Sequence, residues 1–424
     1  MANIFEKAKG KEIESRYGIK SQRLIRESGV RNVFTPRTPI IDANLFSGRE
    51  KEVEMLLEYI TSPGLHSLLY GDRGVGKSSL ANITTYILLK DIHPKNYRKS
   101  CSSIDTFETI FETPLMDVGI RIGVHGERDE SGGVLKGGIG FGHFQVGSEK
   151  VKGTERTIVT EKKVFNPSEV ADALKTTDAL MVIDELDRLE PSEVEKIAEL
   201  IKILSDYRSP FKLLLVGIAH NSKELISGHL SVQRCLMQIY LSPMSDSELR
   251  DILEEGEKET TPPIKFTEVA KNQIVQLSSG YPHFTHLLGL KAAEEAISNE
   301  EKSVTVSHVV VAVNKAREAA EEGLRDLYDA ALLKDSTGLT KRILISLAKS
   351  MGKENSFKDI GRMIKSIFGE LPEEGKLRYR LKCISSPTPD TILRKTKGGY
   401  FINDPRMMCY VRIMNPDFFR EYFK

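Results

Sequence analysis

Tryptophan is absent, and aromatic residues make up only 7% of the 424 positions. Cysteine occurs four times, as Cys101, Cys235, Cys383 and Cys409, never in a C-x-x-C pair. Such scatter indicates neither a disulfide framework nor a zinc site, and it fits a reducing compartment. No apolar run approaches the roughly 20 residues that cross a bilayer. Lys7, Lys9 and Lys11 near the start have no apolar stretch behind them to make a leader. These absences lead us to expect a cytoplasmic chain without membrane contact. Neither sign of charge dominates, the formal net charge being +1, and the length suggests two or three domains.

The small net charge hides an asymmetry. Residues 1–40 carry nine Lys/Arg against four Asp/Glu, and residues 340–424 carry eighteen against nine. The ends therefore hold +5 and +9, leaving −13 for the middle. Basic ends on an acidic middle suit an anionic partner such as nucleic acid; the alternative is two solvated basic faces.

Glycine is spent where it has chemical consequences. Gly71 to Ser78 reads G-x-x-x-x-G-K-[ST], preceded by the apolar run Ser67 to Tyr70 and followed by Leu80, Ile83, Tyr86 and Ile87 at helical spacing. A strand, a glycine turn and a helix in that order make a phosphate-binding loop. Gly71, Gly74 and Gly76 let successive N–H groups turn inward around a polyphosphate. Lys77 offers an ammonium to the β- and γ-phosphates, Ser78 a hydroxyl to Mg2+, and the helix the positive end of its dipole.

About a hundred residues later, Leu180-Met181-Val182-Ile183 ends in Asp184-Glu185. A strand of a parallel sheet delivers its last residues to the edge that also carries the phosphate loop. Asp184 is then placed to hold Mg2+ through water, and Glu185 to polarise an attacking water. A further buried strand, Lys212 to Gly217, ends near His220 and Asn221, where an amide can reach the γ-phosphate or that water. Strands alternating with helices predict a parallel α/β sheet.

Other stretches set the domain plan. Residues 1–40 read as a basic helical arm ending at Pro36 and Pro39, and Ser47 is placed to cap the next helix. Residues 114–165 combine alternation with Gly132-Gly133 and Gly137-Gly138, predicting β-hairpins that either contact a partner or extend the sheet. Residues 246–335 read as helices only, the last spanning Val306–Leu333. Residues 340–424 give three helical or basic segments and a Gly398-Gly399 hairpin, a winged-helix pattern. Lys376 to Lys382 alternates in a way that suits a strand as well as a recognition helix.

The segment Phe46-Ser47-Gly48-Arg49-Glu50, the loop Gly71–Ser78, the pair Asp184-Glu185 and Asn221 together resemble the AAA+ and related STAND branch of P-loop ATPases, in particular the clade of origin-recognition initiators. The resemblance covers roughly residues 45–335, and the C-terminal end more loosely. It implies an α/β P-loop NTPase fold, a three-layer sandwich around a parallel sheet, with a helical lid and a C-terminal winged-helix domain. The implied division is 1–40 basic arm, 41–245 ATPase core with the 114–165 insertion, 246–335 lid and 340–424 winged helix.

The same resemblance implies ATP and Mg2+ as cofactors. Arg49 would flank the adenine; Gly71, Asp72, Arg73, Gly74, Val75, Gly76, Lys77, Ser78 and Ser79 would surround the phosphates. Asn221 matches the sensor 1 position, and Arg234 the place of an arginine finger presented to a neighbouring subunit, with a structural salt bridge as the alternative. One departure stands out: the turn Gly280-Tyr281-Pro282-His283-Phe284-Thr285-His286 has no sensor 2 arginine. Its Gly-x-Pro instead resembles the STAND ATPases, whose proline packs near the base, with His283 or His286 as substitute phosphate sensor or simply as packed residues.

Two functions fit. The first is an ATPase that forms a nucleotide-dependent homo-oligomer and engages double-stranded DNA through the basic arm, Lys376, Arg378, Arg380 and Lys382, with Arg394, Lys395 and Lys397 on a wing. The second is a STAND-like signalling switch, for instance in anti-phage defence, acting with a separate protein partner. A small-molecule kinase fits less well, because Glu185 and Arg234 suit water activation and assembly.

Overall fold

The computed structural model describes residues 18–120, 124–125, 138–139, 145–151, 154–160, 166–218, 232–319, 322–333, 335–350, 354–386, 391–396, 398–404 and 406–423. Its contacts divide it into two compact units. One comprises Arg49–Gly71 and Lys77–Leu241; the other comprises Met1–Gly48, Asp72–Gly76 and Ser242–Lys424.

The first unit is built on strands β1 (His66–Gly71), β2 (Asn96–Ser100), β3 (Val124–His125), β4 (Gly138–Ile139), β5 (Gln145–Val151), β6 (Thr154–Thr160), β7 (Ala179–Asp184), β8 (Phe211–Ile218) and β9 (Leu236–Leu241). Five of them form one sheet in the order β2-β7-β8-β1-β9, every neighbouring pair parallel. Successive side chains of a strand point to opposite faces. Leu68, Met181, Ile183, Leu213 and Leu215 share a core with the helices Phe107–Asp117, Pro167–Leu174 and Pro191–Asp206. The alternate residues Leu69, Val182, Leu214 and Val216 are equally buried, and the helices Glu50–Thr61 and Lys77–Asp91 also contact the sheet. A sheet covered on both faces needs continuously apolar strands: β7 is buried along its whole length and β8 all but its last residue. At the edge, only Tyr97 of β2 is buried.

Hairpin pairing appears in the described parts of the 114–165 stretch. Strands β5 and β6 pair antiparallel from Gln145↔Thr160 to Val151↔Thr154, and β3 pairs antiparallel with β4. The helix preceding them runs past the expected boundary to Asp117, with Pro114 inside it. Ser47 does not cap the helix from Glu50: the cap position is Arg49, in the left-handed region at φ 67°, with no side-chain cap bond. Asn166 and Ser245 do cap, each in a reciprocal pair with the glutamate three residues on.

The second unit is helical: Ile19–Glu27, Val30–Val33, Asp246–Glu259, Glu268–Ser278, Pro282–Ser298, Val306–Ala319 and Glu322–Leu333, then Leu339–Lys349, Phe357–Phe368, Glu374–Ile384 and Arg406–Met414. Of the helix expected over Val306–Leu333, the described residues Val306–Ala319 and Glu322–Leu333 are helical. A short parallel pair, β10 (Lys265–Phe266) with β11 (Ser303–Val304), interrupts the expected all-helical stretch. Strands β12 (Ser385–Ser386), β13 (Leu393–Lys395) and β14 (Tyr400–Ile402) form a sheet in which β13 and β14 pair antiparallel, and Lys376 to Lys382 is helical.

The described part of the basic arm is not a free arm. Ile25, Val30, Val33 and Phe34 are buried, each such burial contributing about 1.5–3 kcal/mol. The Phe34 ring meets Phe266 and His286 edge-on, at 5.9 and 6.1 Å between centroids. Gly256 makes room for it, since a Cβ there would stand 2.3 Å from Phe34 Cζ. Arg31 pairs with Glu294 at 2.6 Å, and Lys20 with Glu300. Among the described residues no helix is long and apolar enough to cross a membrane.

Candidate functional site

Strand β1 ends in Gly71, where a Cβ would stand 2.4 Å from the Leu241 carbonyl oxygen of β9. Only glycine allows that approach. Gly74 and Gly76 follow at φ 85° and 97°, the left-handed region that L side chains rarely adopt. The helix then begins at Lys77, whose Nζ donates to the Gly71 carbonyl oxygen at 3.0 Å. Val75 and Lys77 are buried, while Ser78 and Ser79 are partly exposed in the first helical turn. The first N–H groups of a helix lack intrahelical acceptors, and such a turn suits an anion.

Strand β8 lies between β1 and β7, so the parallel arrangement brings the C-terminal ends of all three to one edge. Asp184 is the last residue of β7. Its Oδ1 accepts the Glu185 N–H at 2.9 Å, and its Oδ2 accepts from an Arg98 terminal nitrogen at 2.6 Å. Arg98 also donates to Asn82 Oδ1, on the helix from Lys77. Glu185 stands at φ 58°, ψ 41°, a left-handed conformation costing a non-glycine residue about 1 kcal/mol or more. Its carboxylate accepts from Ser100 Oγ at 3.1 Å and lies 3.4 Å from Arg188. Asp187 Oδ1 accepts the Ile218 N–H at 2.7 Å, tying the turn after Glu185 to the end of β8.

Arg98 and Ser100 were not singled out from the sequence. Both lie on the edge strand β2, two residues apart and therefore on one face, and each donates to one of the two acids. A polar strand with a single buried residue carries no apolar signal, so only the sheet register reveals them.

The remaining expected residues fall as follows. Asn221 and His220 lie outside the described residues. Arg49 is buried and its guanidinium is 3.2 Å from Glu52. Arg234 pairs with Asp206 at 3.1 Å on the surface. In the helical unit, the Tyr281 hydroxyl donates to Asp72 at 3.4 Å. A Cβ at Gly76 would stand 3.8 Å from Pro282 Cγ, and one at Gly74 would stand 3.4 Å from Arg406 Cδ. Arg37, Arg73, His283, Arg406 and Tyr410 line a cavity of about 580 Å³.

The two histidines of the Gly280 turn differ. His283 Nδ1 donates to the Pro36 carbonyl at 2.6 Å, beside that cavity. His286 is buried, and its Nδ1 accepts the Thr35 N–H at 3.3 Å. Burial, with the neighbouring His283, pushes its pKa down to about 4. A ring that is neutral at pH 7 and held by backbone does not suit phosphate sensing.

For a divalent cation the candidate donors are the Ser78 hydroxyl and the Asp184 carboxylate. Such hard oxygens suit Mg2+, which takes one or two protein ligands together with substrate phosphates. Among the described residues no cluster of three or more His, Cys, Asp or Glu offers a different metal cage.

Comparison with known proteins adds a family. The model described as Novel STAND NTPase 1 matches residues 39–358. No curated protein matches the chain. Solved structures similar to it include the Aeropyrum pernix ORC2 protein in its ADPNP–ADP complexes, at 13% identity over 93% of this chain and 99% of that one, TM-score 0.49. The Aeropyrum pernix ORC1 protein in complex with DNA is 16% identical over 92% and 97%, TM-score 0.46. The Thermotoga maritima RuvB Holliday junction branch migration motor is 15% identical over 86% and 94%, TM-score 0.43.

Proposed function

The chain belongs to the Novel STAND NTPase 1 family, and on that premise we propose that it binds ATP with Mg2+, hydrolyses it slowly, and uses nucleotide state to control its own assembly. The observation that carries this reading is the glycine turn closing on Lys77 at the sheet edge where β7 ends in Asp184 and Glu185.

Each residue then has a duty. The backbone N–H groups of Gly71 to Ser79 hold the phosphates, and Lys77 exchanges the Gly71 carbonyl for phosphate oxygens. Ser78 and Asp184 would hold Mg2+, which would supply positive charge against that of the phosphates. Glu185, kept in place by Ser100 and Arg188, polarises the attacking water; Asn221 orients it. Arg234, on the surface, completes the site of a neighbouring copy. In the helical unit, Pro282 and His283 stand by loop residues Gly76 and Arg73 as nucleotide contacts, and Arg49 keeps its assignment near the adenine.

Charge pairing favours a protein partner over DNA. Of the basic residues on the helix Glu374–Ile384, Lys376 pairs with Glu373 and Arg378 with Glu374, while Arg380 makes a shielded pair with Asp335 at 3.2 Å. With the described arm packed and its Lys20 and Arg31 paired, the basic ends resemble solvated and structural faces. DNA engagement by the C-terminal domain is the second reading, resting on the excess positive charge of residues 340–424. Fluorescent-ATP binding and ATP turnover, with and without duplex DNA at low and moderate salt, separate the two. A signalling switch turns over ATP indifferently to DNA, whereas stimulation that fades with salt supports DNA.

A further inference from the structure

Asp184 has both carboxylate oxygens engaged by donors of its own chain: Oδ1 by the Glu185 N–H at 2.9 Å and Oδ2 by Arg98 at 2.6 Å. The Asp184 side chain is almost fully shielded, whereas that of Arg98 is a third exposed, at 34%. A shielded carboxylate needs a compensating charge. Arg98 supplies it from the edge strand, where register sets Arg98 opposite Val182 and Ser100 opposite Asp184. The side chain therefore reaches along β2 toward the end of β7, and Asn82 holds its other terminal nitrogen.

We propose that Arg98 is a resident counter-ion of Asp184 that competes with the incoming metal, so that it sets the Mg2+ concentration at which the nucleotide site is completed. The inference rests on the reading of Asp184 as the metal-facing carboxylate. A guanidinium hydrogen-bonded to Oδ2 and a hydrated dication directed to the same carboxylate repel each other and share one acceptor. The metal must displace the guanidinium or accept a weaker hold. Arg98 can withdraw because it is partly solvated, and the fork that Asn82 anchors draws it back when the metal leaves. Arg98 is thus a positioning residue: it holds the Asp184 carboxylate aimed between turnovers, at the cost of a higher metal requirement.

The test is a Mg2+ titration of the full chain with a fluorescent ATP analogue, reading bound nucleotide rather than turnover. Arg98→Gln is expected to lower the Mg2+ midpoint about three- to fivefold, the scale of a partly exposed ion pair. Arg98→Lys, which keeps the charge, should stay near wild type. Should Arg98→Gln fold poorly, Asn82→Ala loosens the guanidinium without removing it and should move the midpoint in the same direction. A midpoint unchanged or raised in Arg98→Gln, with Asp184→Asn raising it, overturns the inference and leaves the role of Asp184 intact. If Asp184→Asn keeps the wild-type midpoint, the metal assignment itself falls, and the inference with it.

Discussion

Lys77 Nζ and the Gly71 carbonyl oxygen lie 3.0 Å apart, a contact that closes the phosphate loop on itself six residues after it opens. The ammonium is buried and has exchanged water for that oxygen. Replacing the carbonyl with phosphate oxygens sets the ammonium against full negative charge instead of a neutral dipole, which strengthens the interaction. Lys77→Ala should therefore weaken ATP binding by about 2–3 kcal/mol or more, roughly a hundredfold, in a titration with a fluorescent analogue. Tight binding retained by the variant contradicts the loop assignment.

Phe34 gives a second prediction. Its ring is fully buried in the helical unit, against Phe266, His286 and the gap left by Gly256. Truncation leaves a cavity that backbone on two helices cannot fill, so Phe34→Ala should cost about 3–5 kcal/mol in chemical denaturation. A loss below about 1 kcal/mol would mean that the arm detaches readily.

These two residues mark what the sequence could and could not disclose. The loop was legible because each of its glycines and its lysine serves a local need, and the flanking apolar strands are buried on both faces. Asp184-Glu185 was legible for the same reason. Phe34 was not: its helices are short, each starting after a glycine at positive φ, so its apolar residues show no sustained period. Arg98 was hidden more deeply, because its partner lies 86 residues away and is selected by the register of an edge strand. Ser47 had the right chemistry for a cap, but the chain turns two residues later, at Arg49.

Arg234 gives a third prediction. Its pair with Asp206 is well exposed, at 69% and 54% of the two side chains, and such pairs contribute about 0–1 kcal/mol. Arg234→Ala should thus leave the melting temperature and ATP binding nearly unchanged. If the residue acts on a neighbouring copy, turnover per protomer loses its rise with protein concentration. A variant that keeps the full rise confines Arg234 to the surface pair.

Acid sensitivity gives a fourth. Burial, helped by the charge of Lys212, pushes His66 down to about 3, and burial beside His283 pushes His286 down to about 4, from an ordinary 6.5. Above 6.5 neither folded nor unfolded chain protonates these rings, and they add no pH dependence to stability. Below it the unfolded chain takes up protons that the folded chain refuses, so stability falls as pH drops from 6.5 toward 4. At pH 5 each ring costs about 2 kcal/mol. His286→Phe should reduce the loss between pH 7 and pH 5 by about that amount in urea melts. An undiminished loss would show that His286 is protonated in the folded chain.

The most direct test of the proposed ATPase is turnover by Glu185→Gln beside wild type, with binding of the fluorescent analogue measured on the same samples. Glu185, at φ 58° and accepting from Ser100 Oγ, is the residue to which the proposal assigns water activation. Its amide analogue should bind nucleotide as wild type does, while turnover falls by roughly a hundredfold or more, the scale on which a positioned general base contributes. Equal turnover by the two proteins would remove Glu185 from the chemistry and contradict the assignment of the site.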